Sequence, residues 1–505
     1  MSLFYYVFVS VLLVCAIAYH FRNRAQYPPS PPKHWLLGNL LDMPRTVDWD
    51  KLLSWKRDYG GLTYLTAFGQ SVLVLNTPEV IKDLLDKRAK NYSHRPQTVM
   101  VGELFGLNKT LVFYDYNDRY RTIRKLTQQV LGPEAVKKYQ ALQLDIVKLF
   151  LESLRLDPDD FRQQCRLAVS RMILTVTYGL EIKAADSEYI ANAQHTSETI
   201  NQAVMPGAYI VDLIPALKHL PRWFPFTSFH EVGDYGRKLV FDFVTLPFEY
   251  VRRNMANGYA PQSFVSDLLA DPETMAKHGK HSEDLIEDIK WTAGAMFSAG
   301  METSLATMLT FFLAMALYPK EQAKAQQEID TVTGGNRIVT FDDRPNLPFV
   351  QALLQEIARW HVVAPTGLPR RSAENDTYNG YRIPANTVLV PNIWALSQSV
   401  IDPGRFDPER FLNSSNAQNP YEYIYGFGRR ICPGRHLADN FLFLFAVNTL
   451  AFFNIDQPAQ LTEGLKMPAD VVFSPTIVSL PEPFACKIQP RTDAHAEVIS
   501  SMAVQ

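Results

Sequence analysis

The chain has 505 residues, of which 47% are hydrophobic and 20% are charged, and its formal net charge is −2. This balance fits a large globular protein and excludes a strongly basic one, so nucleic acid is not an expected partner. The cysteines, Cys15, Cys165, Cys432 and Cys486, show no close spacing, which excludes a disulfide scaffold. Length alone suggests two or three domains, yet no linker follows residue 34.

The first residues predict a membrane anchor over 1–24. Ser2 to Tyr19 is almost wholly apolar and approaches the roughly 20 residues that cross a bilayer. Arg22 and Arg24 follow, and because positive charge favours the cytoplasmic side, the rest of the chain is expected in the cytosol. A cleaved signal peptide is the alternative, but its basic end normally precedes the apolar run.

The next segments predict a hinge and then a helix-rich domain. The run Tyr27-Pro28-Pro29-Ser30-Pro31-Pro32 predicts a stiff hinge over 25–34, because proline cannot continue a helix. Residue periodicity predicts strands at Gly61 to Phe68, Ser71 to Leu75 and Thr387 to Leu389, and amphipathic helices at Glu134 to Leu156 and Lys320 to Thr333. The expected fold class is mainly α with a small β subdomain.

A long apolar segment after Ser282 predicts a helix of about 50 Å that ends before Pro319. Ser282 would cap its start. Gly300 costs about 1 kcal/mol inside a helix relative to alanine, so it needs a reason, such as room for a ligand. Glu302 and Thr303 follow it, and the plain alternative is a buried helix whose threonine bonds its own backbone carbonyl.

Two charged helical patterns flank this segment. Tyr116 to Lys125 carries several cations and, taken alone, is a basic solvated helix face. Glu356 and Arg359 stand three residues apart, which places them on one helix face. Alone, they would form a surface ion pair worth under about 1 kcal/mol.

The most informative motif is Tyr425-Gly426-Phe427-Gly428-Arg429-Arg430-Ile431-Cys432-Pro433-Gly434. Gly428 and Gly434 permit backbone angles and close approaches that a Cβ would block. The nearby cations Arg429, Arg430 and Arg435 would lower the pKa of the Cys432 thiol and favour a metal-binding thiolate. The alternative is that Cys432 is a small buried hydrophobe.

These motifs resemble the cytochrome P450 superfamily. Its haem loop, Phe-x-x-Gly-x-Arg-x-Cys-x-Gly, is matched at Gly428, Arg430, Cys432 and Gly434, and Tyr425 replaces the phenylalanine. The resemblance implies a haem b cofactor with Cys432 as the axial iron ligand, an arrangement that promotes O–O cleavage.

The same resemblance assigns roles to the other blocks. Thr303 would handle dioxygen and Glu302 would deliver protons. Tyr120, in place of the usual tryptophan, would contact the haem propionates together with Arg124, Arg370 and Arg430, although Arg371 could take the place of Arg370. Arg410 in Pro408-Glu409-Arg410-Phe411 would complete a buried triad with Glu356 and Arg359.

The resemblance covers the chain from Tyr27 to about Pro490 and points to fungal microsomal P450s of secondary metabolism. It implies a P450 fold over 35–505, anchored in the endoplasmic reticulum membrane with a cytosolic catalytic domain. The expected partners are NADPH–cytochrome P450 reductase, O2 and a lipophilic small molecule, for which a terpenoid is the favoured class. Substrate would be shaped by the segments 99–113, 295–299, 362–368 and 473–477.

Two other functions remain open from the sequence. A haem-thiolate isomerase or dehydratase would need no reductase, and Glu302-Thr303 argues against it. A non-enzymatic haem sensor or carrier is the second alternative, and NADPH-dependent turnover would separate both from a monooxygenase.

Overall fold

The computed structural model describes residues 26–44, 46–182, 187–205, 207–225, 227–273, 282–412, 417–459 and 465–503. The predicted anchor over 1–24 lies outside these residues, as does the side chain of Ser282 that was predicted to cap a helix. The α-helices that the structure describes are α1 (Trp49–Tyr59), α2 (Pro78–Ile81), α3 (Asp118–Leu131), α4 (Gln140–Leu156), α5 (Phe161–Tyr178), α6 (Glu188–Ala203), α7 (Ile210–Leu213), α8 (Phe229–Ala256), α9 (Phe264–Ala270), α10 (Ser282–Leu317), α11 (Pro319–Thr333), α12 (Pro348–Trp360), α13 (Ile393–Ser397), α14 (Arg435–Phe452) and α15 (Asp493–Ala503).

Three small sheets accompany the helices, so the predicted mainly helical class is confirmed. The strands are β1 (Leu62–Ala67), β2 (Gln70–Leu75), β3 (Arg370–Arg371), β4 (Asp376–Tyr378), β5 (Tyr381–Ile383), β6 (Val388–Pro391), β7 (Phe453–Asp456) and β8 (Lys487–Pro490). The largest sheet has the order β1-β2-β6-β3, in which β2 and β6 are parallel. Its two other pairings are antiparallel, as are β4 with β5 and β7 with β8.

The predicted helices are present, with one difference. The segment predicted as one helix from Glu134 is a 3-10 turn at Ala135–Tyr139 followed by α4. The helix α3 begins where the side chain of Asn117 accepts a hydrogen bond from the Tyr120 N–H, at 2.9 Å. It ends before Gly132 and Pro133, a pair that cannot continue a helix.

The 36-residue helix α10 is the centre of the core. In the part of the chain that the structure describes, it contains the one span long and apolar enough to cross a membrane, Glu283–Leu317, and 72% of its most apolar window is buried inside the protein. It packs against α5 and α8, and its glycines allow this approach. A Cβ at Gly294 would lie 2.4 Å from Cγ1 of Val244, and one at Gly300 would lie 2.9 Å from Cδ1 of Ile173.

The structure gives Gly300 a packing reason, and room for a ligand beside it stays a prediction. The missing side chain makes room for the neighbouring helix α5, and the helix cost of the glycine is offset by close packing.

A buried ion triad joins α12 to the segment Pro408–Phe411. Arg359 donates from Nε and Nη2 to the two oxygens of Glu356 at 2.7 and 2.8 Å, and both residues have no exposed surface. Arg410 Nε reaches Glu356 Oε2 at 3.1 Å. The predicted triad is thus present.

Replacing Glu356 by glutamine should lower the free energy of unfolding by about 3–5 kcal/mol, because the buried guanidinium of Arg359 and the largely buried one of Arg410 lose their countercharge. Glu409→Gln is the matched control, since Glu409 pairs with Lys324 at 2.6 Å on the surface and should cost at most about 1 kcal/mol. Urea unfolding of both variants measures the difference, and equal losses would contradict a structural role for the triad.

Candidate active site

The loop that carries Cys432 is closed by its own backbone. A 3-10 turn at Gly428–Arg430 brings the Cys432 N–H to 2.8 Å from the Tyr425 carbonyl. Helix α14 then begins at Arg435, and the N–H groups of Gly434 and Arg435 are directed at the sulfur. The thiol therefore sits in a fixed place beside the start of a helix.

Three side chains from other elements donate to carbonyls of this loop. Arg370 of β3 reaches the Phe427 carbonyl at 2.5 Å. From α3, Tyr120 donates its hydroxyl to the Arg429 carbonyl at 2.7 Å, and Arg124 donates to the Ile431 carbonyl at 2.6 Å. The structure thus brings together the residues that the sequence placed far apart.

The two loop glycines, Gly428 and Gly434, lie in different surroundings. Gly428 has φ +49°, and a Cβ there would lie 2.4 Å from the backbone oxygen of Leu85. Glycine is therefore needed at this position because the loop passes close to the backbone of Leu85. An added Cβ at Gly434 would meet no atom within 4 Å, so this glycine faces open space next to the thiol.

The electrostatics of Cys432 differ from the sequence interpretation. Burial raises the pKa of its thiol above the ordinary value, and this outweighs the opposing effects of the Gly434 and Arg435 amides and of the Arg124 and Arg435 charges. Arg429 is exposed and covers the ring of Tyr116 at 4.7 Å. A metal that binds the sulfur must therefore displace a proton.

Three buried guanidinium groups lie near one another beside this loop. Arg95, Arg370 and Arg430 are 7%, 3% and 9% exposed. Burial lowers the pKa values of all three, and the charge of Arg430 lowers those of Arg95 and Arg370 further, that of Arg370 to about 10. Within the described residues their hydrogen bonds go to backbone carbonyls, as when Arg430 Nε reaches Ser93 at 2.8 Å and Arg95 Nη1 reaches Pro369 at 2.7 Å. The cluster is suited to a buried anion.

Sequence reasoning did not single out Arg95 as a site residue. It lies in a loop whose other nearby arginine, Arg88, pairs with Asp376 at 2.9 Å, and no local pattern distinguishes the two.

The structure also distinguishes Arg370 from the adjacent Arg371. Arg371 is bound to the Asp115 carboxylate at 2.9 and 3.0 Å, which leaves Arg370 as the residue at the loop.

The predicted site residues in the middle of α10, Thr303 and Glu302, lie on different sides of the helix. Ala295, Ala299, Thr303 and Thr307 recur every four residues, and each of them is at least partly accessible. The Thr303 hydroxyl donates to the Ala299 carbonyl at 2.7 Å. Glu302 turns to α5 instead and pairs with Arg166 at 3.6 Å.

Comparison with known proteins identifies the family. The family model for cytochrome P450 matches residues 28–482. The chain is 37% identical over 492 residues to cytochrome P450 monooxygenase COX2 of Coprinopsis cinerea, which covers 95% of this chain and 93% of that protein. It is 34% identical to claR of Ampulloclitocybe clavipes, over 98% and 92% of the two chains, and 36% identical to ppsD of Aspergillus oryzae, over 95% and 91%. Both are cytochrome P450 monooxygenases by name.

This chain belongs to the cytochrome P450 family, and it is an enzyme of the monooxygenase class. Membership implies a haem-thiolate cofactor, O2, a redox partner and a small-molecule substrate. The residues present fit such a cofactor. The thiol of Cys432 would supply the iron ligand, Gly434 leaves space beside it, and the cluster of Arg95, Arg370 and Arg430 suits the two carboxylates of a haem.

Tyr120→Phe should lower the free energy of unfolding by about 0.5–1.5 kcal/mol, because the Arg429 carbonyl loses its donor. Tyr178→Phe is the matched control, since its buried hydroxyl has no partner among the described residues and its removal should be neutral or stabilising. Urea unfolding measures both, and an equal loss in the two variants would remove Tyr120 from its role in holding the loop.

Proposed function

We propose that this enzyme is a membrane-anchored monooxygenase of secondary metabolism that takes electrons from NADPH through a partner reductase and oxidises a lipophilic metabolite. The observation that carries the proposal is the loop whose backbone, together with Arg370, Tyr120 and Arg124, fixes the Cys432 sulfur beside a buried cationic cluster.

In this proposal Cys432 binds the iron of haem b, and Arg370 and Arg430 bind its propionates. Arg95 is added to them because it is buried in the same cluster. Tyr120 and Arg124 donate hydrogen bonds to carbonyls of the loop, so they act by positioning the sulfur. Direct contact between these two residues and a propionate stays a prediction.

When bound, the haem-thiolate group supplies dioxygen activation. The chain's own residues would manage protons and exclude water. The Thr303 hydroxyl lies on the accessible stripe of α10 and can turn from the Ala299 carbonyl to a ligand there. Glu302, one residue earlier, is the nearest carboxyl along the helix and can take up and release a proton.

Two of the predicted substrate segments, 362–368 and 473–477, are joined through residues at their edges. The ring of His361 stacks on Phe473 at 3.3 Å between centroids, and the Ser479 N–H donates to the Val363 carbonyl at 2.8 Å. Burial lowers the pKa of His361 to about 3, so it is neutral and adds no charge. The four segments are largely apolar, which favours a lipophilic substrate, and we propose a terpenoid.

We propose the division into an anchor (1–24), a hinge (25–34) and a catalytic domain (35–505), with the catalytic domain on the cytosolic side of the endoplasmic reticulum. The hinge docks on the domain, since the Tyr64 N–H donates to the Pro29 carbonyl at 2.8 Å. Trp35, Leu36 and Leu41 just beyond it are 87%, 65% and 77% exposed, as suits contact with lipid.

The proposed reductase is NADPH–cytochrome P450 reductase, which would meet cations of α3. Lys125 is exposed there, whereas Arg121 pairs with Asp118 and Arg124 is occupied with the loop. The cationic surface is therefore smaller than the sequence pattern suggested.

Cys432→Ala should abolish the long-wavelength absorption band of the reduced CO complex, because that band reports thiolate ligation. Cys486→Ala, at a buried cysteine away from the loop, should keep the band. A wild-type spectrum from the first variant would exclude Cys432 as the ligand.

Thr303→Ala should keep haem but divert reducing equivalents from NADPH into peroxide, because the proton-handling hydroxyl is lost. Thr307→Ala is the matched control one turn further along the same accessible stripe. The measurement is peroxide formed per NADPH consumed with reductase and substrate present. Unchanged coupling in Thr303→Ala would remove Thr303 from this role, and absence of any NADPH-dependent turnover by the wild type would favour the isomerase or sensor.

A further inference from the structure

Asp86 lies on a π-helical turn that meets the cysteine loop. This turn spans Lys82–Lys87, and at its end the Arg88 N–H donates to the Asp83 carbonyl at 3.0 Å. Single turns of this kind are rare in proteins and are frequent at functional sites. The turn brings the backbone carbonyl of Leu85 and the carboxylate of Asp86 against the loop.

The contact between Asp86 and the loop is closest at Gly428. A Cβ at Gly428 would lie 2.9 Å from Oδ1 of Asp86, and the Gly428 N–H donates to the Asp86 carboxylate. Gly428 is the first residue of the 3-10 turn that ends at Arg430. The first N–H groups of a helical turn have no partner within the turn, and a carboxylate beside them supplies one. Asp86 therefore caps the turn that leads to Cys432.

Asp86 also acts on the buried cationic cluster through Arg370. Arg370 Nη1 donates to the Leu85 carbonyl at 3.4 Å, so this guanidinium lies beside the residue that precedes Asp86. Burial and the charge of Arg430 lower the pKa of Arg370, and the charge of Asp86 raises it. Burial raises the pKa of the Asp86 carboxyl, and the charges of Arg370 and Lys82 lower it. Asp86 and Arg370 therefore form an interacting pair at the edge of the cluster.

The charges of the proposed haem site balance when Asp86 is included. The three buried arginines of the cluster carry three positive charges, and the two carboxylates of a haem carry two negative ones. Asp115 raises the pKa of Arg430, but the Asp115 carboxylate is bound to Arg371 at 2.9 Å. Buried charge is costly unless it is matched. Asp86 supplies the third negative charge, beside Arg370.

We propose that Asp86 is a positioning residue of the haem site, which caps the turn at Gly428, supplies a negative charge beside Arg370 and thereby lowers the reduction potential of the iron. This proposal rests on the proposed function, because it requires a bound haem. Reduction of the iron adds one electron to the site, and a nearby carboxylate disfavours the added negative charge. The carboxylate acts through Arg370 and the loop, so Asp86 itself needs no contact with the haem.

The test is a spectroelectrochemical titration of the full-length, haem-loaded enzyme, in which the electrode supplies one electron per iron. Asp86→Asn removes the charge but keeps an amide oxygen that can accept from the Gly428 N–H. It should raise the ratio of reduced to oxidised iron at a fixed potential by at least about threefold, which is about 28 mV for a one-electron couple. Asp86→Glu keeps the charge and should restore most of the wild-type potential.

Asp83→Asn is the matched control, because it removes one negative charge from the same turn. Asp83 pairs with Lys87 at 2.6 Å and accepts from the Tyr378 hydroxyl at 2.9 Å, away from the loop. The potential of this variant should equal that of the wild type. An unchanged potential in Asp86→Asn, or an equal shift in Asp83→Asn, would overturn the proposal.

The capping role of Asp86 has a separate measurement. Asp86→Ala removes both the charge and the acceptor for the Gly428 N–H, whereas Asp86→Asn removes the charge alone. The reduced CO complex of Asp86→Ala should therefore lose its long-wavelength band about two- to tenfold faster than that of Asp86→Asn, the factor that one hydrogen bond provides. Equal rates in the two variants would exclude the capping role.

The titration separates this proposal from the proposed function. A wild type without NADPH-dependent turnover whose potential still depends on Asp86 defeats the monooxygenase assignment and keeps the role of Asp86. A wild type that turns over substrate with a potential independent of Asp86 keeps the function and defeats that role.

Discussion

The structure depends on how the backbone of one loop is held. The carbonyls of residues 425, 427, 429 and 431 each accept a hydrogen bond, from the Cys432 N–H, Arg370, Tyr120 and Arg124 respectively. The donors come from the loop itself, from β3 and from α3. Because these elements are distant in sequence, the position of the sulfur depends on tertiary contacts among them.

The charge beside this loop sets a second constraint. Three guanidinium groups are buried together and satisfied by backbone carbonyls, which provide hydrogen bonds but no full negative charge. Buried like charges are costly, and a bound anion removes much of that cost. A haem with two carboxylates would therefore stabilise the fold as well as supply the chemistry, since a ligand that binds the folded state shifts the unfolding equilibrium.

The sequence predicted the parts of the site that local motifs encode. The cysteine loop, the triad of Glu356, Arg359 and Arg410, and the long helix α10 follow from spacing and from the family resemblance, and the structure contains the triad and the helix with nearly the expected bounds. What depends on partners distant in sequence was not predictable. The packing of Gly300 on Ile173, the burial of Arg95 and the raised pKa of Cys432 all arise from other elements.

The same limit applies to α10. Adjacent positions on a helix point about 100° apart, so Thr303 and Glu302 leave α10 in different directions, and the structure directs Glu302 to α5. The account as a whole requires the Cys432 sulfur to bind iron. X-ray absorption at the iron of the purified full-length enzyme tests this most directly. The account predicts one sulfur scatterer in the first coordination shell, lost in Cys432→Ala, and a shell of nitrogen and oxygen alone in the wild type would contradict it.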